Sequence, residues 1–421
     1  MLPNFEESLR QYAELAVQVG LNLQPGQRLL VRGDPAVTNG VSLHAASLVR
    51  QIAASAYRAG ARLVDVIWAD DEVQLARFRY APRDSFEEYP VWQPNLALEH
   101  ATRGDAMLTI LADDPDLLSG QDPELTAVYQ KTALKHARPY RAAFGRNASN
   151  WLVIAAAAPA WAAKVFPDVA PEAQAARLWD ALFKACRLDQ VDPVAAWQEH
   201  IRQLAARSQY LNQKQYAALR FTAPGTDLAL GLPRGHVWKA GRSTSQGGIP
   251  FTANMPTEEV FTLPHKDRAE GVVTASMPFS YGGTLIENMS LTFQAGRVVR
   301  AAADKGEAAV RSLLDTDAGA GRLGEVALVP HHSPIAQSGV LFYNTLLDEN
   351  AATHLALGRA YSFTLQGGEV MDDAQFAAAG ANLSLAHVDF MIGSAAMDVD
   401  GLAEDGTAEP LMRSGEWAFE G

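Results

Sequence analysis

The first part of the chain alternates between helical and strand-like patterns of hydrophobic residues. Leu9, Tyr12, Ala13 and Ala16 recur at the spacing of one helix face, and the apolar run at residues 28–32 then predicts a strand. A second helical stretch leads into the strand-like run LVDVIW, and the runs MLTILA and WLVIAA repeat this order. Strands separated by helices predict a mainly parallel, doubly wound sheet, so the expected fold class is α/β.

The pattern changes from about Tyr216 onward. Short apolar runs now alternate with turn residues, and SLTFQAGRVVRA predicts a hairpin that turns at Ala295 and Gly296. A chain of 421 residues is also longer than one hydrophobic core supports. We therefore expect an N-terminal α/β scaffold domain at residues 1–212 and a C-terminal mixed α+β domain, rich in antiparallel strand, at residues 213–421.

Composition and charge exclude several functional classes. The net charge of −13, without any run of Lys or Arg, disfavours binding to nucleic acid or to an anionic membrane surface. No apolar run is long enough to span a bilayer, and the first residues lack the pattern of a signal peptide. The single cysteine, Cys186, excludes an internal disulfide and a thiolate zinc cage. The cytoplasm is the expected compartment.

The predicted strands are not followed by a nucleotide-binding loop, and the sequence has no serine-hydrolase elbow. Neither G-x-G-x-x-G nor G-x-x-x-x-G-K-[ST] follows a predicted strand, so no nucleotide cofactor is expected and the first domain is predicted to be a scaffold. No G-x-S-x-G elbow is present, which disfavours a serine hydrolase. The chemistry is therefore expected in the second domain.

Carboxylates and histidines in the second half of the chain are the candidate metal ligands. They are Glu259, Glu325, His354, His387 and Asp389. Oxygen and nitrogen ligands spread over several segments suit a two-metal hydrolytic site better than a structural zinc site. Because such ligands accept zinc, cobalt or manganese, the predicted cofactor is two divalent ions of one of these metals.

Local patterns place three of these ligands on strands. In HVDFMIG, a strand puts His387 and Asp389 on one face, because side chains alternate. Glu325 stands at the beginning of the apolar run VALVP, where a buried carboxylate needs a metal, an arginine or backbone N–H groups as its partner.

The other candidates are predicted in a strand and a helix. Glu258 and Glu259 are expected to point to opposite faces of a strand, so that one binds metal while the other stays in solvent. His354 is expected on a short helix that ends at Gly358, with Glu349 in the preceding turn. Taken singly, each candidate is explained equally well or better by a structural role, such as a packed histidine or a solvated turn.

Longer motifs connect the candidates to a known family. The runs NMPTEEVFTLPHKDRAEGVV, LGEVALVP, SPIAQSGVLFYNTLLDENAATHLALGRAY and HVDFMIGS occur in this order. Over the whole length, the chain resembles the aminopeptidase T/aminopeptidase S family of metal-dependent aminopeptidases. The resemblance implies a cytoplasmic exopeptidase that acts on small peptides, a homodimer, and a two-metal site in the C-terminal domain reached through an interior cavity.

The resemblance also assigns roles to individual residues. Matching positions imply that the metal ligands are Glu259, Glu325, His354, His387 and Asp389. Glu349 and Tyr361 fall within the matched runs, and their implied roles are catalytic. For Glu349 the alternatives are a further ligand or the general base. For Tyr361 they are a hydrogen bond to the developing oxyanion or a contact with a metal.

Two other functions stay open at this stage. A two-metal amidohydrolase that acts on a non-peptide amide shares the ligand set and responds to metals in the same way. A peptide- or metal-binding protein of the same fold keeps the ligands without turnover. The first ignores peptides as substrates, and the second has no activity to lose when Glu325 is replaced.

Overall fold

Two compact units make up the fold, which is known from a computed structural model that describes residues 4–34 and 40–419. The first unit is Met1–Glu199 with Arg242–Pro256, and the second is His200–Gly241 with Thr257–Gly421. The domain boundary near residue 212 stays a prediction. No helix among the described residues combines the length and the apolarity that crossing a membrane requires.

Helices and parallel strands dominate the N-terminal part of the chain, as its hydrophobic pattern predicts. In chain order the elements are α1 (Phe5–Leu15), β1 (Arg28–Arg32), β2 (Val41–Ser42), α2 (Ala46–Arg58), β3 (Leu63–Val66), β4 (Trp68–Ala69), α3 (Asp71–Tyr80), α4 (Trp92–Arg103), β5 (Ala106–Leu111), α5 (Pro123–Phe144), β6 (Trp151–Ala155), α6 (Pro159–Val165), α7 (Pro171–Ala185) and α8 (Pro193–Lys214).

Strands dominate the rest of the chain. They are β7 (Ala218–Ala223), β8 (Thr226–Gly231), β9 (Lys239–Ala240), β10 (Ser243–Thr244), β11 (Pro250–Phe251), β12 (Val260–Thr262), β13 (Ala269–Thr274), β14 (Phe279–Tyr281), β15 (Thr284–Ile286), β16 (Ser290–Gln294), β17 (Arg297–Ala302), β18 (Leu323–Leu328), β19 (His354–Gly358), β20 (His387–Met391), β21 (Asp398–Leu402), β22 (Ala408–Arg413) and β23 (Glu416–Trp417). Four short helices accompany them: α9 (Glu307–Leu314), α10 (Pro334–Ser338), α11 (Thr345–Asp348) and α12 (Asp373–Ala378).

A parallel sheet forms the centre of the first unit. Its strand order is β3-β1-β5-β6, and each neighbouring pair runs parallel. Leu29, Leu30 and Val31 of β1 are fully buried, as a central strand covered on both faces requires. The predicted α/β class with a mainly parallel N-terminal sheet is therefore confirmed.

Two large antiparallel sheets and the two-stranded pairing of β14 with β15 contain the strands of the second unit. The larger has the order β17-β16-β13-β8-β7-β21-β22-β23, and the smaller, which we call the site sheet, has the order β20-β19-β18-β12-β9. The hairpin of β16 and β17 turns where the sequence predicts. Ala295 and Gly296 both have positive φ, at 47° and 74°, which suits the right-handed twist of a two-residue hairpin.

Candidate metal centre

One face of the site sheet carries most of the predicted ligands. Across the sheet, Asp389 of β20 pairs with Ala356 of β19, which pairs with Glu325 of β18. In the next row, His354 pairs with Ala327. Because paired residues in a β-ladder share a face and side chains alternate along a strand, Asp389, Glu325 and His354 all project from this face.

The opposite face of the site sheet packs into the hydrophobic core of the second unit. Val260, Val326, Leu355 and Phe390 lie on it, and each is no more than 1% exposed. A slip of one residue in β18, β19 or β20 would bury a carboxylate or histidine in this core. The alternation of apolar and polar residues therefore fixes the register on which the ligands depend.

His354 begins a strand, so its predicted placement on a short helix is wrong. The segment His354–Gly358 pairs with β18 on one side and β20 on the other, and these two ladders override the helix-forming tendency of its leucines and alanine. Gly358, with φ of +108° in the region that favours glycine, is the last residue of this strand.

Each histidine is held so that Nε2 faces carboxylates. His354 places Nδ1 3.1 Å from the carbonyl oxygen of Ala352, and its Nε2 lies 3.3 Å from Glu259 Oε2 and 3.6 Å from Glu325 Oε1. A carbonyl at Nδ1 keeps the proton on that nitrogen in the neutral ring. This leaves the Nε2 lone pair to bind a metal, which is the orientation that metal-binding histidines adopt.

His387 repeats the arrangement on β20. Its Nδ1 lies 2.8 Å from the carbonyl oxygen of Arg359, and its Nε2 lies 3.5 Å from Asp389 Oδ1 and 3.8 Å from Glu325 Oε2. The strand thus brings His387 and Asp389 together on one face, as the sequence predicts. The two oxygens of Glu325 face different histidines, Oε1 toward His354 and Oε2 toward His387.

The burial of several charges shifts the protonation of the cluster. Burial, together with the charges of Glu259 and Asp389, raises the pKa of Glu325 to about 6. Burial opposes the charged form of His387, but its hydrogen bond and charge interaction with Asp389 outweigh this effect and raise the pKa of His387 to about 10. Likewise, hydrogen bonds with Glu259 and Glu325 outweigh burial and raise the pKa of His354 well above its ordinary value. The carboxylates thus favour the protonated, positively charged form of each imidazole.

Glu349 and Tyr361 lie within electrostatic reach of the same carboxylates. Glu349 begins the 3₁₀ turn Glu349–Ala351, and burial, then the charges of Glu259 and Asp389, raise its pKa well above the ordinary value. The ring of Tyr361 lies 4.8 Å from the His387 ring. Tyr361 is 42% exposed, and burial, followed by the charges of Glu325 and Asp389, raises the pKa of its hydroxyl well above the ordinary value.

Three of the ligand candidates are close enough to bind one ion together. One ligand atom each from Glu259, Glu325 and His354 lies within 4.8 Å of the others, and all three side chains are buried. Two carboxylates and one imidazole are a donor set that zinc and related divalent ions accept. The small residue Ala356 lies between Asp389 and Glu325 of the neighbouring strands, which leaves space beside these two ligand candidates. The residues present therefore fit a metal ion.

Glu258 is buried, so the prediction that one of the adjacent glutamates stays in solvent is wrong. It is 2% exposed, and its Oε2 lies 3.5 Å from Nε2 of His200 on α8. Glu258 and Glu259 precede β12 rather than lie in it, so strand alternation does not send either side chain to solvent. The sequence carries no local signal for the partner on α8.

Asn350 is a buried residue of the site that the sequence does not reveal. Its Oδ1 accepts a hydrogen bond of 2.7 Å from the backbone N–H of Glu258, and its Nδ2 donates one of 2.9 Å to the carbonyl of Leu346. Asn350 thus joins the segment that carries Glu259 to the turn that carries Glu349. A hydrogen bond between an amide side chain and a backbone group far away in the sequence cannot be recognised from residue spacing or composition.

The chain is similar over its whole length to known metalloproteases and aminopeptidases. The family described as thermophilic metalloprotease (M29) matches residues 5–417. Aminopeptidase AmpS of Bacillus subtilis is 46% identical, with 99% of this chain and 100% of the relative covered. Aminopeptidase 2 of Geobacillus stearothermophilus is 47% identical, with 99% of each chain covered.

Solved structures support the same relationship. The structure of AmpT from Thermus thermophilus matches with a TM-score of 0.91 at 44% identity, and the match covers 99% of this chain and 100% of that one. A 2,5-dihydroxypyridine dioxygenase from Pseudomonas putida matches with a TM-score of 0.53 at 14% identity, which is a likeness of fold alone. The chain belongs to the thermophilic metalloprotease family (M29), and it is a metal-dependent hydrolase of peptide bonds.

Proposed function

We propose that this metalloprotease is an aminopeptidase that releases N-terminal residues from small peptides and uses two divalent ions. The observation that carries the proposal is the position of Glu325, whose two oxygens face His354 and His387 separately. One ion would be held by Glu259, Glu325 and His354, and the other by Glu325, His387 and Asp389. Glu325 would then be shared between them.

Ions bound at these residues would polarise the scissile carbonyl of the substrate and would lower the pKa of a bound water toward neutrality. Glu349 would act as the general base, since its carboxyl lies within electrostatic reach of Glu259 and Asp389 and would take the proton of a water held there. The raised pKa of Tyr361 keeps its hydroxyl protonated at neutral pH, so that it can donate a hydrogen bond to the developing oxyanion.

The charge of the chain suits a substrate with a free N-terminus. Its net charge of −13 favours the approach of a protonated amine. The relatives named aminopeptidase span nearly the whole chain and support the same substrate class. A cytoplasmic homodimer follows from the family resemblance.

The release of leucine from a leucyl peptide amide tests the proposal. The purified chain is assayed with zinc, cobalt or manganese, after exhaustive chelation, and after metal is restored. We expect activity that chelation removes and metal restores, and no activity in Glu325→Gln. Leucine release that persists after complete removal of metal would overturn the mechanism, and metal-dependent hydrolysis of simple amides but not peptides would point to an amidohydrolase.

A further inference from the structure

Lys239 lies on the same face of the site sheet as the metal-ligand candidates. Its sequence neighbours Trp238 and Ala240 both pack in or against the hydrophobic core of the second unit. Because side chains alternate along a strand, Lys239 projects from the opposite face. It pairs with Phe261, which pairs with Ala327, which pairs with His354. One row across the sheet therefore joins Lys239 to a ligand candidate.

The distance along this row suits a short peptide. Lys239 is on β9, the strand beside β12, and Glu259 immediately precedes β12. Neighbouring strands lie about 5 Å apart, so β9 is about 5 Å from β12 and about 10 Å from β18. A peptide spans about 3.5 Å per residue. A peptide of two or three residues with its N-terminus at the carboxylates therefore reaches the side chain of Lys239.

The surroundings of Lys239 favour an anionic ligand. The side chain is half-buried, and it forms no ion pair with the residues that the structure describes. A row of rings leads to it from the ligands: Tyr361 lies 4.8 Å from His387, Phe363 lies 5.2 Å from Tyr361, and Phe261 lies 6.2 Å from Phe363. An ammonium group beside apolar rings interacts more strongly with an anion than one in open water does.

The strand that carries Lys239 is firmly held. The side chain of Asn212 on α8 accepts a hydrogen bond of 2.8 Å from the backbone N–H of Trp238 and donates one of 2.9 Å to its carbonyl. Ser208 donates a second hydrogen bond, of 2.9 Å, to the same carbonyl. These contacts fix the backbone next to Lys239, so the base of its side chain has a defined position relative to the ligands.

We propose that Lys239 binds the free C-terminal carboxylate of dipeptides and tripeptides and so makes the enzyme prefer them to longer or C-terminally blocked peptides. The inference rests on the proposed aminopeptidase function. The metal centre would hold the N-terminal amine of the substrate, and Lys239 would hold its carboxylate end. A peptide of two or three residues would then span the face between them.

The test compares peptides that differ only at the C-terminus. Leucyl-glycine and leucyl-glycyl-glycine are assayed beside their C-terminal amides, with the wild type, Lys239→Gln and the control Lys305→Gln. Lys305 is an exposed lysine that pairs with Glu287, so its replacement removes the same charge elsewhere. Turnover of the amides shows whether Lys239→Gln is folded and active.

In the wild type and in Lys305→Gln we expect kcat/KM to be about tenfold or more higher for the acids than for the amides, from the loss of one charge-assisted hydrogen bond. In Lys239→Gln this preference falls to near unity, through a rise in KM for the acids, while the amides are unaffected. An equal preference in Lys239→Gln and the wild type overturns the role of Lys239 but leaves the aminopeptidase function standing. A wild type that hydrolyses neither acids nor amides overturns both.

Discussion

Replacing Asn350 by alanine should weaken metal binding although Asn350 itself touches no metal. The substitution removes the acceptor for the Glu258 N–H, at 2.7 Å, and the donor to the Leu346 carbonyl, at 2.9 Å. Asn350 is 0% exposed, so water does not replace these bonds. The backbone that carries Glu259 is then no longer tied to the turn that carries Glu349.

The size of the effect follows from the two bonds. Each buried polar group left without a partner costs about 1–3 kcal/mol, so the free energy of unfolding should fall by about 2–6 kcal/mol. Loss of an outer partner of a metal ligand typically weakens metal affinity by about 10- to 100-fold. We expect both effects in Asn350→Ala, measured by urea unfolding and by competition for zinc with a chromogenic chelator.

Asn150 in the first unit is the matched control. It is also 0% exposed, donates a hydrogen bond of 2.8 Å to the Leu21 carbonyl and accepts one of 2.7 Å from Gln27. Asn150→Ala should lower stability by a similar amount without changing metal affinity. If Asn350→Ala loses stability but binds zinc as tightly as the wild type, then Asn350 does not position Glu259 and the reasoning is refuted.

Three further outcomes are expected. Ala356→Val adds bulk between Asp389 and Glu325, so metal content and activity should fall while the free energy of unfolding falls by only about 1–3 kcal/mol. A normal metal content in this variant would contradict the space inferred beside Ala356. Tyr361→Phe should lower kcat about 10²- to 10³-fold with little change in KM, and an unchanged kcat would exclude oxyanion stabilisation by the hydroxyl. Partial burial of Asp317 opposes its charge, but four hydrogen bonds to its carboxylate outweigh this effect and lower its pKa; the donors are Leu385, Ser384, Gly319 and Ala320. The charge of Asp317 therefore stabilises the fold above the ordinary pKa of 3.8, and this contribution is lost as the pH falls through its lowered pKa. Asp317→Asn should accordingly destabilise the chain by about 1–3 kcal/mol at pH 7, and the loss should shrink as the pH falls below 3.8. A loss in urea unfolding that stays constant as the pH falls through this range would contradict this.

The parts of the fold that follow from local pattern are predictable from the sequence. The parallel strands, the hairpin at Ala295 and Gly296, and the shared face of His387 and Asp389 depend on periodicity and turn chemistry within a few residues. They need no knowledge of distant partners. For the same reason, the hydrophobic pattern alone indicates an α/β part followed by an antiparallel part.

The parts that depend on pairing between distant segments are not predictable in this way. His354 lies in a strand because β18 and β20 flank it, and nothing in HLALG itself excludes a helix. Glu258 is buried because His200, on α8, lies beside it. The positions of Asn350 and Lys239 depend on a hydrogen bond and a β-ladder that join segments far apart in sequence. The grouping of the ligands followed from the family resemblance and not from spacing.

Diffraction from crystals loaded with zinc or manganese, with data collected at the metal absorption edge, tests the central claim most directly. The account predicts two anomalous peaks per chain, one beside Glu259 and His354 and the other beside His387 and Asp389. Glu325 should provide one oxygen to each ion, at about 2.0–2.2 Å for zinc. A single peak at full metal saturation, or two peaks that Glu325 does not join, would contradict the two-metal account.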